Sequence, residues 1–232
     1  MNNHEQKIAI HMSSINLFIQ LLFTVFWIAT PVNGVLKIAV LLVFWIITFY
    51  PFNRFEIAVF FIVSVLYSFG NILSVQKEVF YFKNPELFGL PYYEYFMWGF
   101  YFLHTMRVLT PLNQPHFEFK AIPLAMFFSA SFSLTNDPFI LPLLSFVALG
   151  FLLLFYHSSD DLRYMAYFVL FGMILEIIGV LSDQWGYPAP HKTAVAPWFF
   201  CLFAGSGIIC YRIALPLLNI LCKRGRIFGK HS

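Results

Sequence analysis

Glu176 and Asp183 stand seven residues apart in EIIGVLSDQWGYPAP, the first deep in an apolar run and the second at its edge. An ionisable group inside a lipid-embedded segment costs several kcal/mol, so such acids usually face a bundle interior or a cavity. Desolvation favours the neutral, proton-bearing form of a carboxylic acid. Two carboxyls in unlike surroundings can therefore divide the acid and base roles between them. Glu176 reads as a proton donor and Asp183, nearer water, as an ionised assisting group. Two helical turns, about 10 Å, would separate them. That is too far to share a proton and close enough to bracket a substrate. The alternatives are a structural ion pair of Glu176 with Arg107 or Arg212, and a solvated helix-end role for Asp183.

Residues three, four and seven apart share a helix face. Gly172, Glu176, Gly179 and Asp183 then form one stripe, and Ser64, Ser68, Asn71 and Val75 form its counterpart in an earlier helix. Facing stripes of small and polar residues would let two helices approach closely, which is also how such residues serve plain packing. Glu94, Trp98, Tyr101 and Thr105 line a second face with His104 beside it, giving a second candidate wall in which Glu94 assists catalysis. Trp185, Tyr187, His191 and Trp198 supply aromatic and polar tips, as do Tyr81, Phe82, Glu86, Phe88, Tyr92 and Tyr93. Many of these fit an interfacial aromatic belt. Aromatic faces beside acids also suit a developing carbocation, because ring faces attract cations. Asn71, Trp98, Tyr101, His104, Trp185, Tyr187 and Trp198 are accordingly the candidate substrate-binding residues.

The elements that must hold these residues follow from composition. Of 232 residues, 60% are hydrophobic, 21% aromatic and 11% charged, against about a quarter charged in soluble domains. Recurrent continuous apolar runs, each roughly 17 to 25 residues, read as membrane helices rather than as alternating barrel strands. The expected fold is all-α, a single polytopic bundle over 1–232. Eight helices are expected, at about Ser13 to Ala29, Gly34 to Tyr50, Phe55 to Leu73, Tyr93 to Leu109, Lys120 to Leu134, Pro138 to His157, Leu162 to Ser182 and Ala194 to Cys222. TPVNG, YPFNR, TNDP and SSDD punctuate the connections. The polar start MNNHEQKIAIHMSS before the first apolar run reads as the lead of an uncleaved first helix rather than a signal peptide. With both termini on one side, that side holds Lys7, Arg54, Arg107, Lys120, Arg163, Arg212, Lys223, Arg224, Arg226 and Lys230, against Lys37, Lys77, Lys83 and Lys192. The excess puts both termini in the cytoplasm of a cell (inner) membrane protein.

The chain also echoes itself. SFGNILSVQ resembles EIIGVLSDQ at an offset of 108, and RVLTPL resembles RIALPL at 105. This points to a duplicated four-helix unit, 13–112 and 120–222, whose halves run parallel because each has an even number of passes.

Several chemistries find no motif. The seven histidines form no HxxxH or HxxHH cluster, and there is no phosphate loop, dinucleotide fingerprint or GxSxG elbow. Asp160 and Asp161 in HSSDDLRY lack the third acid of a magnesium-diphosphate motif; Ser158, Ser159 and Asp160 read instead as a helix cap. Cys201, Cys210 and Cys222 lack ligand spacing and read as small hydrophobes. The net charge of +3 is scattered or terminal and calls for no nucleic acid or acidic partner. The expected partners are membrane lipid and a lipophilic small molecule, with no cofactor and no metal.

Glu176 and Gly179, followed by Trp185-Gly186-Tyr187-Pro188 and Pro197-Trp198, resemble the signature region of bacterial multi-pass membrane proteins of carotenoid biosynthesis. That family includes carotenoid hydratases, and the likeness covers about a quarter of the chain. The chain also has the general look of small membrane terpene cyclases, which use acids to protonate a polyene or epoxide. Either resemblance implies hydration, cyclisation or isomerisation of an isoprenoid. A transporter or ligand-binding protein with a proton-linked site between the repeats, and a scaffold held by its polar seam, are the other readings.

Overall fold

The computed structural model describes residues 3–109, 111–113, 116–188 and 195–220, with residues 3–14 described as backbone alone. His191, Lys192 and Cys222 lie outside the described residues. Among these residues the chain is all-helical apart from one two-residue ladder: α1 (Asn3–Ala29), α2 (Gly34–Phe49), α3 (Arg54–Gln76), β1 (Tyr81–Phe82), α4 (Glu94–Val108), α5 (Ala121–Ser131), α6 (Ile140–Phe155), α7 (Ser159–Leu181), β2 (Trp185–Gly186) and α8 (Pro197–Ile209). A π-helical turn, Cys210–Ala214, follows α8, and the helix runs on to Ile220.

Local chemistry sets the helix starts. Asn33 accepts from the Val35 amide at 2.8 Å, and Pro197 opens α8 at a position where its missing N–H is no loss. Asn53 and Ser158 each close a capping box, with Glu56 and Asp161 as the reciprocal partners. α5 is the element furthest from expectation. It has 11 residues, about 16 Å of helix, and ends at Phe132, whose amide turns back to Ser129 and Ala130.

Three helices, α3, α7 and the one running from Pro197 to Ile220, are long and apolar enough to cross a membrane. The surface agrees with that. Phe18, Phe26, Ile47, Val65, Leu154, Leu170 and Leu181 are exposed, while Asp160, Asp161, Glu94 and Glu176 are buried. A soluble protein distributes these types the other way round. The protein is a helical membrane protein on these grounds.

α3 packs on α4 and α7 on α8, and α8 also packs on α6. The two stripes expected to face each other therefore each serve their own neighbour. Gly172 lies against Phe203 of α8, and Ser64 lies against Gly99 of α4. α3 and α7 have the same length, 23 residues, and their caps Asn53 and Ser158 stand 105 positions apart. Each first turn binds an arginine 51 residues further on. Arg107 meets Glu56 through Nε at 2.9 Å and Nη2 at 2.8 Å, and Arg212 meets Asp161 through the same two atoms, each at 2.6 Å. Both helices end alike, in a residue with left-handed backbone, Glu78 (φ 58°) and Asp183 (φ 57°). The segments beyond meet in the ladder, where Tyr81 pairs with Gly186 and Phe82 with Trp185, antiparallel.

The arginines are thus committed to the capping acids, and neither is a partner of Glu176. Asp160 does not cap α7. It clamps the 112–113 segment, accepting from the Leu112 and Asn113 amides at 2.9 Å each and from Tyr211 Oη at 3.2 Å.

Asp161 is fully buried, and Arg212 is 17% exposed. Removing one partner of such a pair costs about 3–5 kcal/mol. Arg212→Met is expected to lower the melting temperature in detergent sharply, whereas Lys83→Met, which breaks an exposed pair with Asp183, leaves it nearly unchanged. Equal shifts in the two variants would contradict this account.

Candidate functional site

α4 occupies the centre of the bundle, with every residue from Met97 to Thr105 buried. Glu94 and Trp98 sit one turn apart on it, and Trp98 Nε1 donates to Glu94 Oε1 at 3.0 Å. From α3, Asn71 Nδ2 donates to the same oxygen at 2.6 Å. Glu176 of α7 is held in a matching way. Its Oε1 accepts from Trp185 Nε1 at 2.6 Å and from the Tyr187 hydroxyl. Each carboxyl therefore has one oxygen saturated by two donors, one of them an indole. A proton on either acid resides on Oε2.

Both acids line one cavity, with Asn71, Trp98, Tyr101, Trp185, Phe80, Phe82 and Phe203 among its other walls. Its enclosed space is about 30 Å³, room for about two water molecules. Aromatic rings form the walls. Tyr67 stacks on Trp98 with centroids 4.3 Å apart, and Phe203 also stacks on Trp98, at 5.7 Å. Two cavity-lining groups carry a buried polar atom without a partner, Glu94 Oε2 and the Tyr101 hydroxyl.

The ladder covers this cavity. Trp185 comes from β2, and Phe82 of β1 meets it edge to face at 6.0 Å. Lys83 N donates to Gln184 O at 2.9 Å, and Lys37 Nζ reaches Gln184 Oε1 at 2.6 Å and Ile28 O at 2.7 Å. Trp185 also lies against Gly179, where a side chain would collide with the indole. Gly179 thus serves the close approach of Trp185 rather than a facing helix.

Of the residues expected from sequence, Glu94, Glu176, Asn71, Trp98, Tyr101 and Trp185 meet at the cavity. Tyr187 acts from behind, through its bond to Glu176. Trp198 packs edge-on against Tyr187 at 5.9 Å and supports it. Asp183 is elsewhere. The helix ends at Leu181, the left-handed residue 183 breaks the helical spacing, and its exposed side chain pairs with Lys83 at 3.0 Å. His104 belongs to a separate buried chain, with Nδ1 on Gln20 Oε1 at 2.9 Å and Nε2 on the Tyr167 hydroxyl at 2.7 Å. Gln20 Oε1 only accepts, which places a proton on Nδ1. Gln20 and Trp45 both donate to Thr24 Oγ1, which extends the chain to α2.

Phe80, Phe199 and Phe203 were not singled out by sequence. Phe199 and Phe203 stand four apart on α8, as Glu94 and Trp98 do on α4, and that spacing was the available signal. Among the described residues no three of His, Cys, Asp and Glu gather as a metal site. The chain matches no protein-family model, no curated protein and no solved structure.

The two glycines Gly179 and Gly150 give opposite expectations for one substitution. Gly179→Ala drives the indole from Glu176 and leaves buried polar groups unpaired, a loss of about 1–3 kcal/mol. Gly150 has open space around its Cα, so Gly150→Ala gains about 0.5–1 kcal/mol of helix stability. Thermal unfolding in one detergent tests both; a shift of the same sign in each would refute the reading.

Proposed function

We propose that the chain is an integral membrane enzyme doing cofactor-free acid/base chemistry on a lipophilic, isoprenoid substrate by hydration, cyclisation or isomerisation. The observation that carries the reading is the pair of buried glutamates, each pinned through one oxygen, on a single aromatic-walled cavity. Glu176 Oε2 gives a proton to a double bond. The cation so formed lies among Trp98, Trp185 and Phe203, whose ring faces stabilise it. Loss of a proton to Glu94 yields an isomer, attack by a second double bond followed by proton loss to Glu94 a ring, and capture by water followed by proton loss an alcohol. Exclusion of bulk water from the site protects the cation from unwanted capture. Asp183, exposed and paired with Lys83, has no part in this scheme, and His104 has none.

The same reading takes the bundle as two parallel four-helix repeats in a bacterial inner membrane, with eight passes and both termini cytoplasmic. The shared helix length, the paired caps and the twin arginine bonds of α3 and α7 support a common offset of 105. At that offset Asn71 corresponds to Glu176, and the polar position of each repeat falls at the cavity. A proton-linked transporter is the second reading, favoured by the position of the acids between the two halves.

Cells expressing the protein and supplied with candidate polyenes should form a new product that Glu176→Gln abolishes, at least a hundredfold on the scale of general acid catalysis, about 10²–10⁴. Asp183→Asn should leave the rate within about twofold, the tolerance expected of an exposed pair. Retained product in Glu176→Gln ends the proposal, and uptake of unaltered substrate supports the transporter. For the orientation, a cysteine at Asp183 should react with an impermeant maleimide on intact cells, and one at Arg54 only after permeabilisation; the reverse pattern would invert the topology.

A further inference from the structure

Lys37 stands in the first turn of α2 and is only 4% exposed, yet it forms no ion pair with a carboxylate among the described residues. Lysine is almost never hidden to this degree without a committed partner. Its partners are two oxygens from distant parts of the chain. The ammonium donates to Ile28 O, at the end of α1, at 2.7 Å, and to Gln184 Oε1, 147 positions further on, at 2.6 Å. It also lies over the Tyr93 ring, 5.6 Å from the centroid. The Glu86 carboxylate rests against Gly34 on the same turn of α2 and lines a small polar pocket with Lys37 and Gln184.

Gln184 is where the chain reversal after α7 passes into β2, and its polar groups are all engaged. Its amide N–H donates to Gly179 O at 2.9 Å, its carbonyl accepts from the Lys83 amide at 2.9 Å, and its side-chain Nε2 donates to Ser182 O at 3.2 Å. Those bonds run to α7 and to the ladder itself. The bond from Lys37 alone reaches the α1–α2 hairpin. It is also the firmest, because a hydrogen bond from a charged donor is roughly twice as strong as a neutral one. Trp185 comes next in the chain, and its indole donates to Glu176 Oε1 at 2.6 Å.

We infer that Lys37 is a positioning residue for Glu176: through Gln184 it fixes the strand that brings the Trp185 indole to Glu176 Oε1. An aliphatic side chain of similar length fills the same space but leaves Gln184 Oε1 without its donor. The catalytic meaning of this role rests on the proposed function, whereas the indole bond is measured without turnover.

The test uses the full-length protein in detergent, isotopically labelled at the tryptophan nitrogens. Each indole N–H gives its own NMR signal, and Trp185→Phe assigns the one from Trp185. Lys37→Met should speed hydrogen exchange at that indole about tenfold, equivalent to about 1.4 kcal/mol, and shift its proton signal upfield as the bond to Glu176 weakens. The Trp98 indole, bound to Glu94 within α4, should exchange as before. Gln184→Met removes the same bond from the ladder side and spares the contact of Lys37 with Ile28, so it should reproduce the effect even where Lys37→Met loosens the hairpin. Gln184→Glu keeps an acceptor for the ammonium and should retain the original signal. The double variant Lys37→Met/Gln184→Met should exchange no faster than the faster single variant, as two partners in one bond require. Equal acceleration at Trp98 and Trp185, or an unmoved Trp185 indole in both single variants, overturns the inference. Product formation should fall about tenfold in Lys37→Met, in step with the indole bond, and an undiminished yield overturns the inference as well. Product that depends on Glu176 beside an unmoved indole sinks the inference and leaves the enzyme reading standing. A moved indole in a protein that makes no product does the opposite.

Discussion

A carboxyl group inside an apolar bundle must take its hydrogen bonds from the chain itself, because lipid offers none. Glu94 and Glu176 set that requirement at the middle of this protein, and much of the architecture answers it. An indole is well suited to the task. It has one donor and no acceptor, and it places a large apolar body around the bond it makes. Trp98 reaches its acid from within the same helix, whereas Trp185 must be brought back over α7 by the ladder. The turn at Asp183, the ladder pairing and the bare surface of Gly179 are parts of that one delivery. Holding one oxygen of each acid also fixes which oxygen is left without those donors.

The opposite end of α7 solves a different electrostatic problem with different residues. There Asp160 and Asp161 are fully buried, but arginine, tyrosine and backbone amides surround them. Each of those carboxylates accepts from at least four donors, against two on each glutamate. The contrast separates acids that hold the fold from acids that face a cavity, although all four are equally hidden from solvent. Burial alone does not distinguish them; the number of donors does.

The helical run of the chain was legible because periodic apolar segments and capping residues act locally. Asn33 and Asn53 fall where the sequence places helix starts, and Ser158 caps α7, which begins three residues ahead of the expected start at Leu162. Glu176, Glu94 and Trp98 stood out for the cost of a charge, or the spacing of a ring, within such segments. The partners of Glu176 were harder. Trp185 and Tyr187 were visible as aromatics, but their bonds depend on a chain reversal after Leu181 that helical spacing cannot represent. The same reversal carries Asp183 out to Lys83. The stripes of α3 and α7 misled for a related reason: small residues announce a close approach without naming the neighbour, and the neighbours were Trp185, Phe203 and α4.

The π-helical turn at Cys210–Ala214 lies on the element that joins these two environments. A wide turn carries one residue more than an α-turn, so it rotates everything beyond it by about 100° relative to an unbroken helix. Upstream, Phe199 and Phe203 line the cavity; within the turn itself, Tyr211 and Arg212 reach the acids at the start of α7. One continuous rod is thereby kept in phase with two unrelated neighbours. The extra residue works as a vernier, setting the angular offset between the half of the molecule that holds the cavity and the half that anchors α7.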